Sequence, residues 1–249
     1  MFPRARTPSR RDPLRRAFAT VDSEAVIALL EPLCTDERRE RLTEVLGGRL
    51  SSVTLVMDAP HDPHNGAAVL RSCDAFGVQE LHVVERTEAF AANTAVAKGS
   101  ERWVDVIHHA TVADAIHALE GFTLVATHPA GELTPDDLAT LPNVALVLGN
   151  EHDGICAELR RACTHGVRIP MRGFVESLNV SVSAATLLAY ATSGRRGDLT
   201  PDQARRLYAR WLALTVPRSL DILEARGVSL ALAGGRMDAL ADRDGRGIT

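Results

Sequence analysis

Along the middle of the chain, short apolar runs alternate with segments of helical spacing. Residues 52–57 (Ser-Val-Thr-Leu-Val-Met) are β-branched and continuously apolar enough to predict a buried strand. Further strands are expected at 80–84, 104–107, 122–126, 144–148 and 166–169, with helices between them at 67–76, 111–119 and 155–162. Ahead of this region Leu14, Phe18, Val21, Val26, Leu29, Leu30, Leu33, Leu42 and Leu46 recur at helical intervals until Gly47-Gly48. Behind it, Leu207, Trp211, Leu212 and Leu214, then Leu220, Ile222 and Leu223, predict two more helices.

Alternating strands and helices predict an α/β fold, a mostly parallel sheet with helices on both faces. The chain divides into a basic arm with a helical N-terminal extension (1–50), a main domain (51–194) and a helical C-terminal extension (195–249). Ligands of such sheets bind outside the carboxyl ends of the strands. Here those ends are Thr127-His128, Gly149-Asn150-Glu151 and Pro170-Met171.

Composition narrows the class. With 249 residues, 45% hydrophobic and 24% charged, the chain is an ordinary globular one. No apolar run reaches membrane-span length and no signal-type core follows the N-terminal arginines, so a cytoplasmic protein is expected. Cys34, Cys73, Cys156 and Cys163 lack CxxC or Cys/His metal spacing, so free thiols and no metal are expected. Net charge is −4, yet Arg4, Arg6, Arg10, Arg11, Arg15 and Arg16 crowd the start and Arg195, Arg196, Arg205, Arg206, Arg210 and Arg218 form a second group. Such local clusters suit phosphate contacts, with Arg10, Arg11, Arg195 and Arg196 as candidates; an arm that is merely solvated is the plainer alternative.

Three clusters could carry chemistry. In the first, Asn65 is a helix-cap candidate and Arg71 lies mid-helix among Ala68, Val69 and Leu70. A guanidinium there needs an anion, either Asp74 three residues on or a phosphate. In the second, Gly149 lets backbone approach a ligand, Gly154 opens the next helix, and Glu151 could cap it. The third runs from Ile169 to Tyr190. Pro170 stops the strand, Ser177 and Asn179 are cap-type residues, and a helix starts near Asn179 with no charge until Arg195. A helix without a polar face is usually buried. No GxGxxG follows the first strand, so the usual dinucleotide fingerprint is missing.

These clusters resemble, in order, the three motifs of the SpoU/TrmH family in the SPOUT superfamily of RNA methyltransferases. The first is Asn65, Arg71 and Gly77 in NxxxxxRxxxxxG, preceded by Pro63-His64. The second is Gly149-x-Glu151-x-x-Gly154, and the third is Ile169-Pro170-Met171-x-Gly173 continuing to Ser177-Leu178-Asn179-Val180-Ser181-Val182. Lys98-Gly99-Ser100-Glu101-Arg102-Trp103 is similar to a GGSxxW loop, with Lys98 replacing a glycine. The resemblance is strong over 52–194 and weak at the ends. It implies a C-terminal trefoil knot that holds S-adenosylmethionine, with Thr127, Leu148, Gly149, Ile169, Met171 and Leu178 as contacts. It implies catalytic roles for Arg71, Asn65, Glu151, Ser177 and Asn179, and RNA contacts at His64 and Arg102. It further implies a homodimer joined through the third-motif helices, acting on tRNA, with guanosine-18 of the D loop as the expected target. Ribosomal RNA methylation, including the resistance type, and a non-catalytic RNA-binding relative are the rival expectations.

Overall fold

A computed structural model describes residues 13–86, 90, 94–97, 99–150 and 152–230. Arg10, Arg11, Lys98, Glu151 and the tail 234–249 lie outside the described residues. In chain order, α1 (Pro13–Phe18), α2 (Ser23–Leu30) and α3 (Asp36–Gly47) precede β1 (Val53–Asp58). Next come α4 (Pro63–Ala75), β2 (Glu80–Val84), α5 (Thr94–Ala97), β3 (Asp105–His109), α6 (Val112–Ala118) and β4 (Thr123–Thr127). Then follow β5 (Val144–Leu148), α7 (Ala157–Ala162), β6 (His165–Val167), α8 (Val180–Ala191), α9 (Pro201–Thr215) and α10 (Ser219–Ala225).

Residues 48–198 form one unit around a six-stranded sheet of order β3-β2-β1-β5-β4-β6. Every ladder is parallel, as the alternating pattern predicts. Period-two alternation divides each central strand between two cores. Leu55 and Met57 of β1 and Leu146 and Leu148 of β5 pack with Val69 and Leu70 of α4 and Leu187 and Leu188 of α8. Val56, Ala145 and Val147 pack instead with Ala115 and Leu119 beside α6 and Leu159 of α7.

Two helix starts differ from the expected ones for identifiable reasons. Helix α4 begins at Pro63, not near 67, because the Asp62 carboxylate accepts from the His64 N–H and Pro63 fixes the first helical φ. Asn65 is therefore inside the first turn and Asp62 is the cap. Helix α7 begins at Ala157, because Gly154 adopts φ +65° in a turn closed by paired bonds between Asn150 and Gly154. Strand β6 ends at Val167, and only one face of α8 is buried, through Ala184, Leu187, Leu188 and Ala191. Val182 and Tyr190 are 49% and 40% exposed, so the uncharged helix is half-covered rather than enclosed.

The β4–β5 connection wraps the outer side of β6. The Leu133 N–H donates to the Gly166 carbonyl, the Arg168 N–H donates to the Leu133 carbonyl, and β4 pairs with β6 on the other side. A Cβ on Gly131 would lie 2.6 Å from the Gly166 carbonyl carbon, so this approach requires glycine. β6 is thus bracketed between β4 and Leu133 before the chain continues to α8, which packs on α4 and on the 3-10 turn Pro135–Thr140.

The two ends, expected as separate extensions, form one helical unit of residues 13–47 and 199–230. Its centre is α9, which buries Leu207, Trp211, Leu212 and Leu214 and packs on α1, α2 and α3. Tyr208 Oη donates to Glu31 Oε1 at 2.7 Å, and Arg205 pairs with Glu24 at 2.6 Å. No helix among the described residues is long and apolar enough to cross a membrane. Among those residues no three His, Cys, Asp or Glu side chains group as a metal site, and the four cysteines are free thiols.

Candidate active site

The carboxyl edge of the sheet is organised by a residue the motifs do not mark. Asp58 closes β1 and is 1% exposed. Its carboxylate accepts from Arg86 Nε at 2.7 Å and Nη2 at 3.3 Å, and from the Cys156 N–H at 2.7 Å. That hydrogen bond raises the Arg86 pKa, with burial opposing it. One carboxylate thus ties together the segments after β1, after β2 and before α7. The available signal is an acid ending an otherwise uncharged strand at the ligand-binding edge.

Two of the expected catalytic residues meet directly. Asn179 caps α8, its Oδ1 accepting from the Ser181 N–H at 2.8 Å and the Ser181 hydroxyl at 2.6 Å. Its Nδ2 donates to Asn65 Oδ1 at 3.1 Å, joining the first turn of α4 to the start of α8 across 114 residues of chain. The first and third sequence clusters are therefore fastened together by a pair of side-chain amides. Ser177 is exposed in the preceding loop, and Phe174 at that loop's tip is fully exposed.

Arg71 differs from its sequence reading in a way that matters. It is exposed rather than enclosed, and Asp74 is not its partner. Asp74 instead receives the buried Arg49 Nη2 at 2.5 Å and the Ser100 hydroxyl at 3.1 Å. Among the described residues Arg71 has no hydrogen-bond or ion-pair partner. Its charge is open to a ligand, and His64, seven residues earlier and also exposed, shares its helix face.

Of the expected cofactor contacts, Thr127 ends β4 and pairs with Val167 of β6, while Leu148 ends β5 with 1% exposure. Ile169 packs partly against the core; Met171 and Leu178 are half-buried. At Gly149 the close approach is made by the chain itself, because an added Cβ would lie 2.2 Å from the Gly154 carbonyl carbon. The Asn150 side chain tightens this turn by accepting from the N–H groups of His152 and Asp153. Across from it, the rings of His61 and His152 have centroids 5.5 Å apart. A cavity of about 240 Å³ at the β4–β6 edge is lined by His128, Glu132, Arg160, Cys163 and His165 among others, and by none of the expected cofactor residues.

The RNA-facing expectations divide. Arg195 is not available to phosphate: Nε donates to the Ala191 carbonyl at 2.7 Å, Nη1 to Pro142 and Ser52, and Nη2 to the Leu141 carbonyl. Burial also lowers its pKa below the ordinary arginine value. It closes the C-terminus of α8, whose orphan carbonyls need donors. Arg196 is exposed, and the Arg102 guanidinium lies over the Trp103 ring at 5.5 Å. In the helical unit Arg206 pairs with Asp202 and Arg218 with Asp221, while Arg210 is buried. The second basic cluster therefore presents less open charge than its arginine count implies.

The sequence model of the SpoU rRNA Methylase family matches residues 52–189. The tRNA (guanosine(18)-2′-O)-methyltransferase of Thermus thermophilus is 36% identical over 190 residues, 72% of this chain and 97% of that one. The crystal structure of the A. aeolicus TrmH/SpoU tRNA modifying enzyme superposes with a TM-score of 0.66 at 28% identity, covering 74% of this chain and 98% of the other. The SpoU methyltransferase AviRb from Streptomyces viridochromogenes, in complex with the cofactor AdoMet, covers 60% of each chain at 27% identity and a TM-score of 0.50. The matched span contains the parallel sheet, the amide pair joining α4 to α8 and the exposed Arg71, and so the chain belongs to the SpoU methylase family.

Proposed function

We propose that this protein methylates the 2′-oxygen of a ribose in tRNA, at guanosine-18, using S-adenosylmethionine. The carrying observation is the amide pair Asn65–Asn179, which fastens the helix bearing an exposed Arg71 to the loop that ends in Ser177 and Asn179. The names of relatives over nearly their whole length support the target.

The residues at the strand ends suit the cofactor chemically. An adenine needs apolar walls and backbone partners, and Leu148, Ile169, Met171 and Leu178 with the Thr127 end of β4 offer both. When bound, S-adenosylmethionine supplies an electrophilic methyl group on a sulfonium. Arg71 cannot readily give up its proton, so its role is donation: it holds a backbone phosphate and stabilises negative charge growing on the 2′-oxygen. Ser177 and Asn179 orient the ribose, and Glu151 belongs to the same site in this reading. Catalysis is then positioning plus charge placement. His64, on the Arg71 face of α4, contacts the RNA, as do Arg102, Arg196 and the arm with Arg10 and Arg11.

Two further proposals, a knot and a dimer, complete the reading. The chain is knotted after β6, supported by the bracketing of β6 between β4 and Leu133. The protein is a dimer through α8, whose uncovered side carries Val182 and Tyr190 with no charged residue. It acts in the cytoplasm, where tRNA is modified. Incubating the protein with methyl-labelled cofactor and either tRNA or ribosomal RNA, followed by nucleoside analysis, tests the function. Label in 2′-O-methylguanosine of tRNA is expected; label confined to ribosomal RNA would overturn the substrate.

A further inference from the structure

Ribose methylation must dispose of one proton. As the 2′-oxygen bonds to the methyl carbon, the methyl–sulfur bond breaks with its electron pair passing to sulfur, and the O–H bond breaks with its proton leaving. An arginine is a poor acceptor because it stays protonated. A neutral imidazole is a good one near physiological pH.

Two imidazoles meet at the carboxyl edge of the sheet, one of them four residues ahead of Asn65. His61 lies in the loop between β1 and α4, one residue before the Asp62 cap; His152 lies in the turn between β5 and α7. These strands are neighbours, with Met57 paired to Leu148, so the two segments leave adjacent strand ends. The ring centroids are 5.5 Å apart and the planes are inclined by 58°. His61 is half-buried and His152 exposed, which gives the pair both a sheltered member and an outlet to water.

The backbone on each side is fastened. Asn150 Oδ1 takes the N–H groups of His152 and Asp153, Asp58 takes Cys156 N–H and Arg86, and Asp62 caps α4. Among the described residues, the charged and titratable groups beside the pair in the chain or joined to those segments include Asp58 and Arg86, paired with each other, and Asp62, His64, Asp153 and Cys156, with Arg71 and Asp74 further along α4.

We propose that the His61–His152 pair accepts the proton of the 2′-hydroxyl and releases it to solvent, leaving Arg71 to carry charge rather than to titrate. The inference rests on the methyl-transfer reading. Only a neutral imidazole can accept, so the single-turnover rate rises with pH.

The test measures single-turnover methylation of tRNA from about pH 5 to 9 for the wild type, His61→Gln, His152→Gln and the double variant. The wild-type rate is expected to rise with pH to a plateau. The double variant is expected to lose roughly 10²-fold near neutrality and that limb with it, with partial restoration by added imidazole. tRNA affinity and thermal midpoint should stay as in the wild type. A double variant that keeps the wild-type pH profile, or changes only in affinity or stability, would overturn the proposal. A wild type that transfers no methyl group would overturn the functional reading and this inference with it.

Discussion

An exposed guanidinium that no neighbouring carboxylate claims keeps its full charge for whatever arrives. Among the described residues Arg71 meets that description, because Arg49 and Ser100 already occupy Asp74. Arg71→Ala should therefore fold normally yet lose roughly 10²–10³ in turnover, the scale of a lost transition-state donor. Near-wild-type turnover would remove Arg71 from the reaction. Asp58 should behave in the opposite way. Its carboxylate is buried and holds Arg86 and the Cys156 N–H, so Asp58→Ala should cost roughly 2–3 kcal/mol in denaturant unfolding. An unchanged midpoint would deny it the anchoring role. The contrast shows what was legible at this scale. Arg71, Asn65 and Asn179 carry motif spacing and could be found in the sequence. Asp58 carries none, because its importance comes from Arg86 and Cys156, 28 and 98 residues away. Arg195 was misleading for the same reason: its charge is visible in sequence, but the carbonyls that absorb it are not.

The elements follow the pattern of apolar positions closely where both strand faces are buried, as in β1 and β5. Boundaries were less legible where a cap or turn overrides that pattern. Asp62 and Pro63 begin α4 ahead of its apolar run, and the Asn150–Gly154 turn delays α7. Helix α8 shows a different limit. Its sequence lacks charge, which predicts burial, but the sheet unit supplies cover for one face only. Each fully buried leucine contributes roughly 2 kcal/mol, so Leu187 and Leu188 outweigh the Asn179 cap, worth about 1 kcal/mol, in holding that face. The other face awaits a second copy in the proposed dimer. Val182→Arg should then shift the protein to a monomer in sedimentation, with the sheet unit still folded. Wild-type protein sedimenting as a monomer, or a variant that remains dimeric, would place the interface elsewhere.

At the scale of the whole molecule, the two ends of the chain join in a helical unit that no local pattern announces, since α2 and α9 are separated by the entire sheet unit. That unit contains a titratable link of its own. Burial, and then the bond to Glu31, push the Tyr208 pKa up to about 12. The folded state holds this proton more tightly than the unfolded state, so the contribution is complete below the ordinary tyrosine pKa of about 10. It is lost as pH rises through about 12. Tyr208→Phe should lose less helicity than the wild type over that window in an alkaline circular dichroism titration; parallel losses would show that the phenol is not coupled to folding.

In the proposed function a guanidinium and two joined asparagines present one tRNA ribose to a methyl donor. The most direct measurement is to map 2′-O-methyl positions, nucleotide by nucleotide, in tRNA treated with the purified protein and S-adenosylmethionine. The proposed function has methylation at guanosine-18 alone, with a loss of roughly 10²–10³ in rate for Arg71→Ala. Methylation at another position, equal methylation by the variant, or no transfer to tRNA at all would contradict it.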